Sequence, residues 1–180
     1  TIRHLCEKYD ASLAIQDADG RSALMLALAF NERDTTPLRK PDYRLAIIEF
    51  LLNCSAKKEL ELVDERKKSA IGYLFERAHF FTEDVLARFV QIILDKNPDL
   101  LNGLVLNGRT PLMVAAFGGW VEVVRLLLAR GADMAIRDCA GRKASDYAKN
   151  RYLAEWEKDF LDCYCLLGGN AEDIHQCAIA

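Results

Sequence analysis

The clearest pattern along the chain lies between residues 105 and 137. An apolar run, Leu112-Met113-Val114-Ala115-Ala116, follows the polar turn Asn107-Gly108-Arg109-Thr110-Pro111. After Gly118-Gly119, a second apolar stripe recurs at helical spacing through Val121, Val124, Leu127 and Leu128. The residues between these runs act as punctuation. Gly108 supplies the positive φ of a tight turn. Thr110 can cap the first amides of a helix, with Pro111 at its first position, where a missing N–H costs nothing. Ala115 and Ala116 keep that helix thin, Gly118-Gly119 end it, and Gly131 stops the second helix in the left-handed conformation. The pattern predicts a helical hairpin.

The same frame recurs. Gly108 and Gly141 are 33 residues apart, and Asp138-Cys-Ala-Gly-Arg-Lys-Ala-Ser-Asp-Tyr-Ala repeats the opening, with Lys143 and Ala144 in place of Thr-Pro. Upstream, Asp17-Ala-Asp-Gly-Arg-Ser-Ala-Leu-Met-Leu-Ala carries Ser22 as the cap. Asp64-Glu-Arg-Lys-Lys-Ser-Ala-Ile-Gly-Tyr-Leu carries Lys67 in the glycine position and Ser69 as the cap. The interval from residue 20 to 67 is 47 and from 67 to 108 is 41, so two repeats are stretched. Insertions are expected at Asn31–Asp42, which is polar and holds Pro37 and Pro41, at Ser55–Leu62, and at Arg77–Glu83. In the last of these, His79-Phe80-Phe81 is expected to tuck into the core. Beyond Asn150, Tyr152, Trp156, Phe160 and Tyr164 step at fours, which predicts one long amphipathic helix sealing the end of the stack.

The order G-x-T-P-L-x-x-A-A, short turn, V-x-x-L-L, G-A-D resembles the ankyrin repeat, whose period is about 33 residues. Met113 departs from the pattern, standing where the family usually has His. The resemblance implies an all-α, ankyrin-like helix-turn-helix repeat solenoid with a C-terminal helical cap. Residues 1–16 would be the second helix and exit loop of an incomplete first repeat. Repeats with insertions would follow at 17–63 and 64–104, a regular one at 105–137, and a degenerate last repeat with the cap at 138–180.

The resemblance also implies a groove lined by turn tips and first helices, which family members generally use to bind proteins. The residue after the turn glycine is Arg21, Lys68, Arg109 and Arg142 in the four openings. This predicts a basic ladder with rungs about 10 Å apart, suited to an acidic partner segment. Asp19, Glu65, Arg66, Leu106 and Asn107 stand at the tips. Met25, Phe30, Glu76, Arg77, Phe117 and Trp120 stand on or after the first helices, where large apolar side chains favour binding. Of these, Arg21, Met25, Phe30, Arg66, Lys68, Arg77, Leu106, Asn107, Arg109, Phe117 and Arg142 form the expected partner-binding set. The loop Asn31–Asp42 is a further candidate grip.

Composition changes this picture little. The chain has 180 residues, 51% hydrophobic, enough for one continuous core. A formal net charge of -3 speaks against nucleic-acid binding, which calls for a basic excess. No apolar run approaches the roughly 20 residues of a membrane span, so a soluble, cytoplasmic, monomeric protein is expected. That cytoplasm would be a host cell's if the chain is a microbial effector. No secretory leader is expected, although the chain starts at Thr1 and would also fit a piece cut from something longer. The six cysteines, Cys6, Cys54, Cys139, Cys163, Cys165 and Cys177, lack the spacing of a disulfide scaffold and read as reduced core fillers.

Cys163-x-Cys165 with His175-x-Cys177 offers zinc ligand types at poor spacing, since residues two apart on a helix diverge. Cys177-Ala-Ile-Ala fits a prenylation box if it ends the natural protein, and would anchor the chain to a membrane. The three histidines, His4, His79 and His175, lie far apart, and no phosphate loop, nucleophile elbow or paired-carboxylate motif is present. No cofactor and no catalysis are expected. The function expected is protein–protein interaction. The alternatives are a substrate-recruiting arm of a larger enzyme or effector, and a lipid-anchored adaptor.

Overall fold

A computed structural model describes residues 13–29, 41–55, 57–106, 108–155 and 157–170, with side-chain surroundings from residue 45 in the second stretch. Phe30, the insertion over 31–40, Asn107, Trp156, Cys6 and Cys177 with its terminal box lie outside the described residues. Among the described residues every regular element is helical, and extended backbone is limited to isolated bridges at Gln16–Ser22, Val63–Ser69 and Leu106–Arg109. The helices are α1 (Ala23–Leu28), α2 (Pro41–Cys54), α3 (Lys57–Glu61), α4 (Ala70–Glu76), α5 (Glu83–Lys96), α6 (Pro111–Gly118), α7 (Val121–Ala129), α8 (Ala144–Glu155) and α9 (Lys158–Leu166). The fold is all-α and ankyrin-like.

Four turns open the helix pairs, and they share one geometry. Gly20, Gly108 and Gly141 have φ of 76°, 72° and 76°, and Lys67 takes the same left-handed conformation at 58°. In each turn the first residue's N–H donates to the carbonyl four residues on: Asp17 to Arg21, Asp64 to Lys68, Val105 to Arg109 and Asp138 to Arg142, at 2.9–3.0 Å. Lys67 is the sole non-glycine with positive φ among the described residues. A lysine accepts that strain because the turn's hydrogen bonds on both sides impose it.

The helix starts follow from the residues after each turn. Ser22 and Thr110 sit at N-caps with extended backbone, and each hydroxyl accepts from the amide three residues on, Met25 and Met113, at 3.4 Å. Ser69 occupies the same place before α4, but its Oγ is buried without a hydrogen-bond partner, so the expected cap is not made. At Lys143, where Thr-Pro is lost, Asp146 reaches back from the third helical position to accept the Lys143 N–H at 2.8 Å.

The chain divides into two compact units. The first takes residues 1–81 and 88–97; the second takes 82–87 and 98–180. In the first, α1 packs on α2 and α4, and α3 on α4. Met25, Ile48, Leu52, Leu60, Ile71, Leu74, Val90 and Ile93 are among its fully buried residues. The stretch Ser55–Leu62 is largely the short helix α3, anchored by Leu60. Pro41 and Asp42, expected in a loop, instead begin α2. Lys96 donates to the carbonyls of Asn53 and Ser55, both at 2.8 Å, satisfying backbone groups left open at the end of α2.

In the second unit, α6 packs on α7 and α8, while α9 packs on α6, α7 and α8. Val123, Val124, Leu127, Ala148 and Cys163 are completely buried there. Two expectations fail. The helix expected to run through Tyr152, Trp156, Phe160 and Tyr164 is two helices, α8 and α9, the second starting after Glu157 at extended φ and ψ. The break lets Phe160 and Tyr164 turn back into the unit's core. At residues 77–83, only Ala78 of the 3₁₀ turn Ala78–Phe80 is buried, while Phe80 is 42% exposed. The small alanine faces inward and the turn carries Phe80 outward, beside His79 at 4.0 Å.

Candidate functional site

The turn residues are tied to the helices that follow by a side-chain network built on aspartate. Asp64 accepts the backbone N–H groups of Arg66 and Lys68 at 2.9 and 2.7 Å, and the Tyr73 hydroxyl at 2.7 Å. Asp138 repeats this with the N–H groups of Ala140 and Arg142, the Arg142 guanidinium, and the Tyr147 hydroxyl. The Tyr147 hydroxyl, then the Arg142 groups and the Ala140 amide, hold Asp138 well below the usual carboxylate range, against burial. Burial works against Asp64 too, yet its hydrogen bonds from Lys68, Tyr73 and Arg66 win and its pKa is lowered. In return, burial and then the Asp64 bond push Tyr73 up to about 12. Asp17, in the first turn, accepts from Asp19 and Arg21, and the Arg21 amide chiefly lowers its pKa.

In the first unit these residues line a cleft of about 360 Å³. Arg21 pairs there with Asp17 at 2.9 Å and Asp19 at 2.5 Å. Lys68 pairs with Glu76 at 2.8 Å and lies 4.7 Å over the Tyr73 ring. Arg77 donates to the Ala29 carbonyl at 3.4 Å, closing the end of α1. The cleft walls carry Arg21, Arg66, Lys68 and Arg77 against Asp19, Asp64, Glu65 and Glu76, so their charges cancel.

The second unit presents a different surface. Three arginines alternate with three rings along α6, α8, α9 and the turns before α6 and α8; Tyr147 and Phe160 are buried and Phe117 is partly exposed. The Arg142 guanidinium lies 4.8 Å from the Tyr147 ring, and Arg109 lies 4.7 Å from the same ring. Arg109 is also 5.3 Å from Phe117, and Arg151 is 4.9 Å from Phe117 and 5.1 Å from Phe160. Phe117 meets Tyr147 edge-on at 6.1 Å. Such contacts contribute about 0.5–1 kcal/mol each at exposed sites, and here they fix side chains that would otherwise be mobile. Arg142 pairs with Asp138 at 2.9 Å and Arg151 with Glu155 at 2.6 Å. Arg109 has no carboxylate partner among the described residues. Phe117, in the middle of this row, is 39% exposed.

The sequence-derived set divides accordingly. Arg21, Lys68 and Arg142 are half-buried and already neutralised by acidic neighbours, so the expected ladder of four open charges reduces to Arg109. Met25 is 0% exposed and belongs to the core, which removes it from the surface set. Arg66 is exposed at its turn tip, Leu106 is half-buried, and Arg77 is a half-buried cap whose Nε is enclosed without a partner. Tyr73, Tyr147, Arg151 and Phe160 were missing from the set. Their signal was present: a tyrosine stands nine residues after the turn aspartate at Asp64–Tyr73 and Asp138–Tyr147, and Arg151 follows Tyr147 one helical turn later.

The cysteines also depart from expectation. Cys163 alone among those described is a core filler; Cys54, Cys139 and Cys165 are exposed. Burial first, and then Glu83, Asp159 and Asp162, push the Cys163 thiol up to about 12, which makes it a poor nucleophile. Among the described residues no three His, Cys, Asp or Glu side chains converge on a metal position, and no helix is long and apolar enough to cross a membrane.

Comparison with known proteins agrees with this architecture. The family model for the ankyrin repeat matches residues 107–139. Over 71 residues the chain is 38% identical to the serine/threonine-protein kinase VIK of Arabidopsis thaliana. That alignment covers 39% of this chain and 14% of the kinase, so the chain spans a small part of this curated relative.

Proposed function

Because the chain carries an ankyrin repeat at residues 107–139, a protein–protein interaction module, we propose that it holds a protein partner on the face of its second unit formed by Arg109, Phe117 and Leu106. One observation carries this reading: Phe117 is a large ring, 39% exposed, yet held in place by Tyr147 edge-on and by two guanidiniums. A rigid aromatic anchor loses little side-chain entropy on binding, and aromatic and arginine residues dominate interface energetics. The neutralised cleft of the first unit and the repeat frame at 17–63, 64–104, 105–137 and 138–180 complete the proposal as its scaffold.

Affinity capture from extracts of the source cells, with the wild-type chain and the Phe117→Ser variant side by side, tests it. Partners retained by the wild type should be lost from the variant while its thermal melt stays within a few degrees. Equal capture by both would remove Phe117 from the interface.

A second reading, a substrate-recruiting arm within a larger enzyme, is supported by the kinase relative, of which the chain matches 14%. In that case the captured proteins would be modified by the enzyme's catalytic part, and the same face would serve. The sequence of the complete natural protein separates the two.

A further inference from the structure

We propose that Arg109 receives a single carboxylate side chain of the partner, an aspartate or glutamate flanked by a large apolar residue that rests on Phe117. This rests on the reading of the Phe117 face as the binding surface, and adds what that surface recognises.

Arg109 is the point where the arginine–ring row is electrically open. Its guanidinium carbon lies 4.7 Å from the Tyr147 ring centre and 5.3 Å from that of Phe117. Because these two rings meet edge-on, the guanidinium plane can lie parallel to only one of them, and the N–H groups turned away from both rings are left for hydrogen bonding. The row holds three cations, Arg109, Arg142 and Arg151, and two of them are matched by Asp138 and Glu155. One positive charge is left over, on the arginine whose side chain is already ordered. That surplus fits one monoanion. A phosphoryl group, carrying nearly two charges, would need a second open cation that this row does not offer.

The geometry favours a bidentate carboxylate. A planar fork held between two rings has little rotamer freedom left to lose, so each hydrogen bond formed to it yields more net binding than one to a mobile arginine. The adjoining half-exposed Phe117 supplies apolar contact beside the charge. Because the chain as a whole carries a net charge of -3, recognition here is by local fit rather than by long-range attraction of acidic segments. Of the four basic residues that follow the turn position, only Arg109 is neither paired with a carboxylate of its own nor part of a charge-balanced cleft.

The test uses the purified full chain and a phage-displayed library of random dodecapeptides, followed by fluorescence polarisation of the enriched sequences. Enriched peptides should contain Asp or Glu next to a large apolar residue. Their affinity should fall about tenfold with Arg109→Gln and severalfold with Arg109→Lys, which keeps the charge but loses the planar fork. Replacing the peptide's Asp or Glu by Asn or Gln, against the unaltered protein, should also cost about tenfold, so the outcome does not depend on a variant folding well. Peptides without carboxylates, indifference to Arg109→Gln, tighter binding of phosphoserine than of glutamate versions, or no enrichment would each overturn the proposal. Loss of binding with Phe117→Ser but not with Arg109→Gln would overturn the carboxylate assignment alone. Indifference to both would remove the binding face itself.

Discussion

Lys67 holds a φ of 58° in a position where the three equivalent turns use glycine. A side chain in the left-handed region costs about 1–2 kcal/mol, part of which glycine returns as greater freedom in the unfolded chain. Lys67→Gly is therefore expected to stabilise the first unit by about 0.5–1 kcal/mol, read as a shift in the urea midpoint. Gly20→Ala should do the reverse by about 1–2 kcal/mol. Its new Cβ would combine φ of 76° with an approach of 3.2 Å to backbone atoms of Asp64 and Glu65. Midpoints moving the other way would show that the turns do not impose this conformation.

The aspartate–tyrosine ties make a prediction in pH. Tyr73 has its pKa raised by burial and by donation to Asp64, so the neutral phenol is the form the fold stabilises. The stabilisation is complete below the ordinary tyrosine value near 10 and is lost as pH rises through about 12. Phenolate absorbance at 295 nm should rise near pH 12, and the rise there should be smaller by one tyrosine in Tyr73→Phe. At neutral pH that variant should lose about 1–2 kcal/mol, because a charged acceptor is left one donor short. A wild-type minus Tyr73→Phe difference centred near pH 10 instead would mean the Asp64–Tyr73 bond does not form.

Elements are held by caps drawn from elsewhere as much as by their own sequence. α7 begins after Trp120, which provides no side-chain cap, and Glu83 fills the role by accepting the Glu122 N–H at 2.7 Å. Burial, with Glu122 and Asp159 nearby, raises the Glu83 pKa against the pull of those amide bonds. A raised carboxyl pKa means the charged form is disfavoured in the fold. Its contribution is thus fully present below the ordinary carboxylate pKa and lost as pH climbs past the raised value. Glu83→Gln keeps an accepting oxygen without the charge, and is expected to match or exceed wild-type stability at pH 7. Glu83→Ala should lose about 1 kcal/mol. Chemical denaturation of both variants at pH 5 and pH 7 distinguishes them, and equal losses would mean the carboxylate charge is what α7 requires.

This cap was not visible in the sequence, because Glu83 and Glu122 are joined only by folding. Short-range punctuation was visible. The turn positions at residues 20, 67, 108 and 141, the caps Ser22 and Thr110 and the stop at Gly131 rest on interactions within a few residues, and all are present. Expectations that needed to know what a side chain would face failed. Trp156 and Tyr152 continued a helical period, but the chain breaks after α8 so that α9 can pack back. Met25 sat on the face assigned to the groove and is core. Arg21, Lys68 and Arg142, expected as open charges, are instead matched by Asp17, Glu76 and Asp138 beside them.

At the scale of the whole molecule, the chain combines a net charge of -3 with a row of ring-contacting arginines on its second unit. Paired charges such as Lys57–Glu61 and Arg125–Glu122 on exposed helix faces contribute little to stability and serve the surface. The arginine row differs because its cations are ordered by rings and one of them stays unmatched, on a repeat with few departures from the family pattern. On the proposed reading, binding is concentrated around residues 106–117 rather than spread over every turn tip. The most direct measurement places a photo-crosslinking benzoylphenylalanine at position 117 and, separately, at Met134, which is 46% exposed in the loop after α7. The expected result is a crosslinked partner from position 117 and none from position 134. Crosslinking from 134 with none from 117 would contradict the assignment of the binding face.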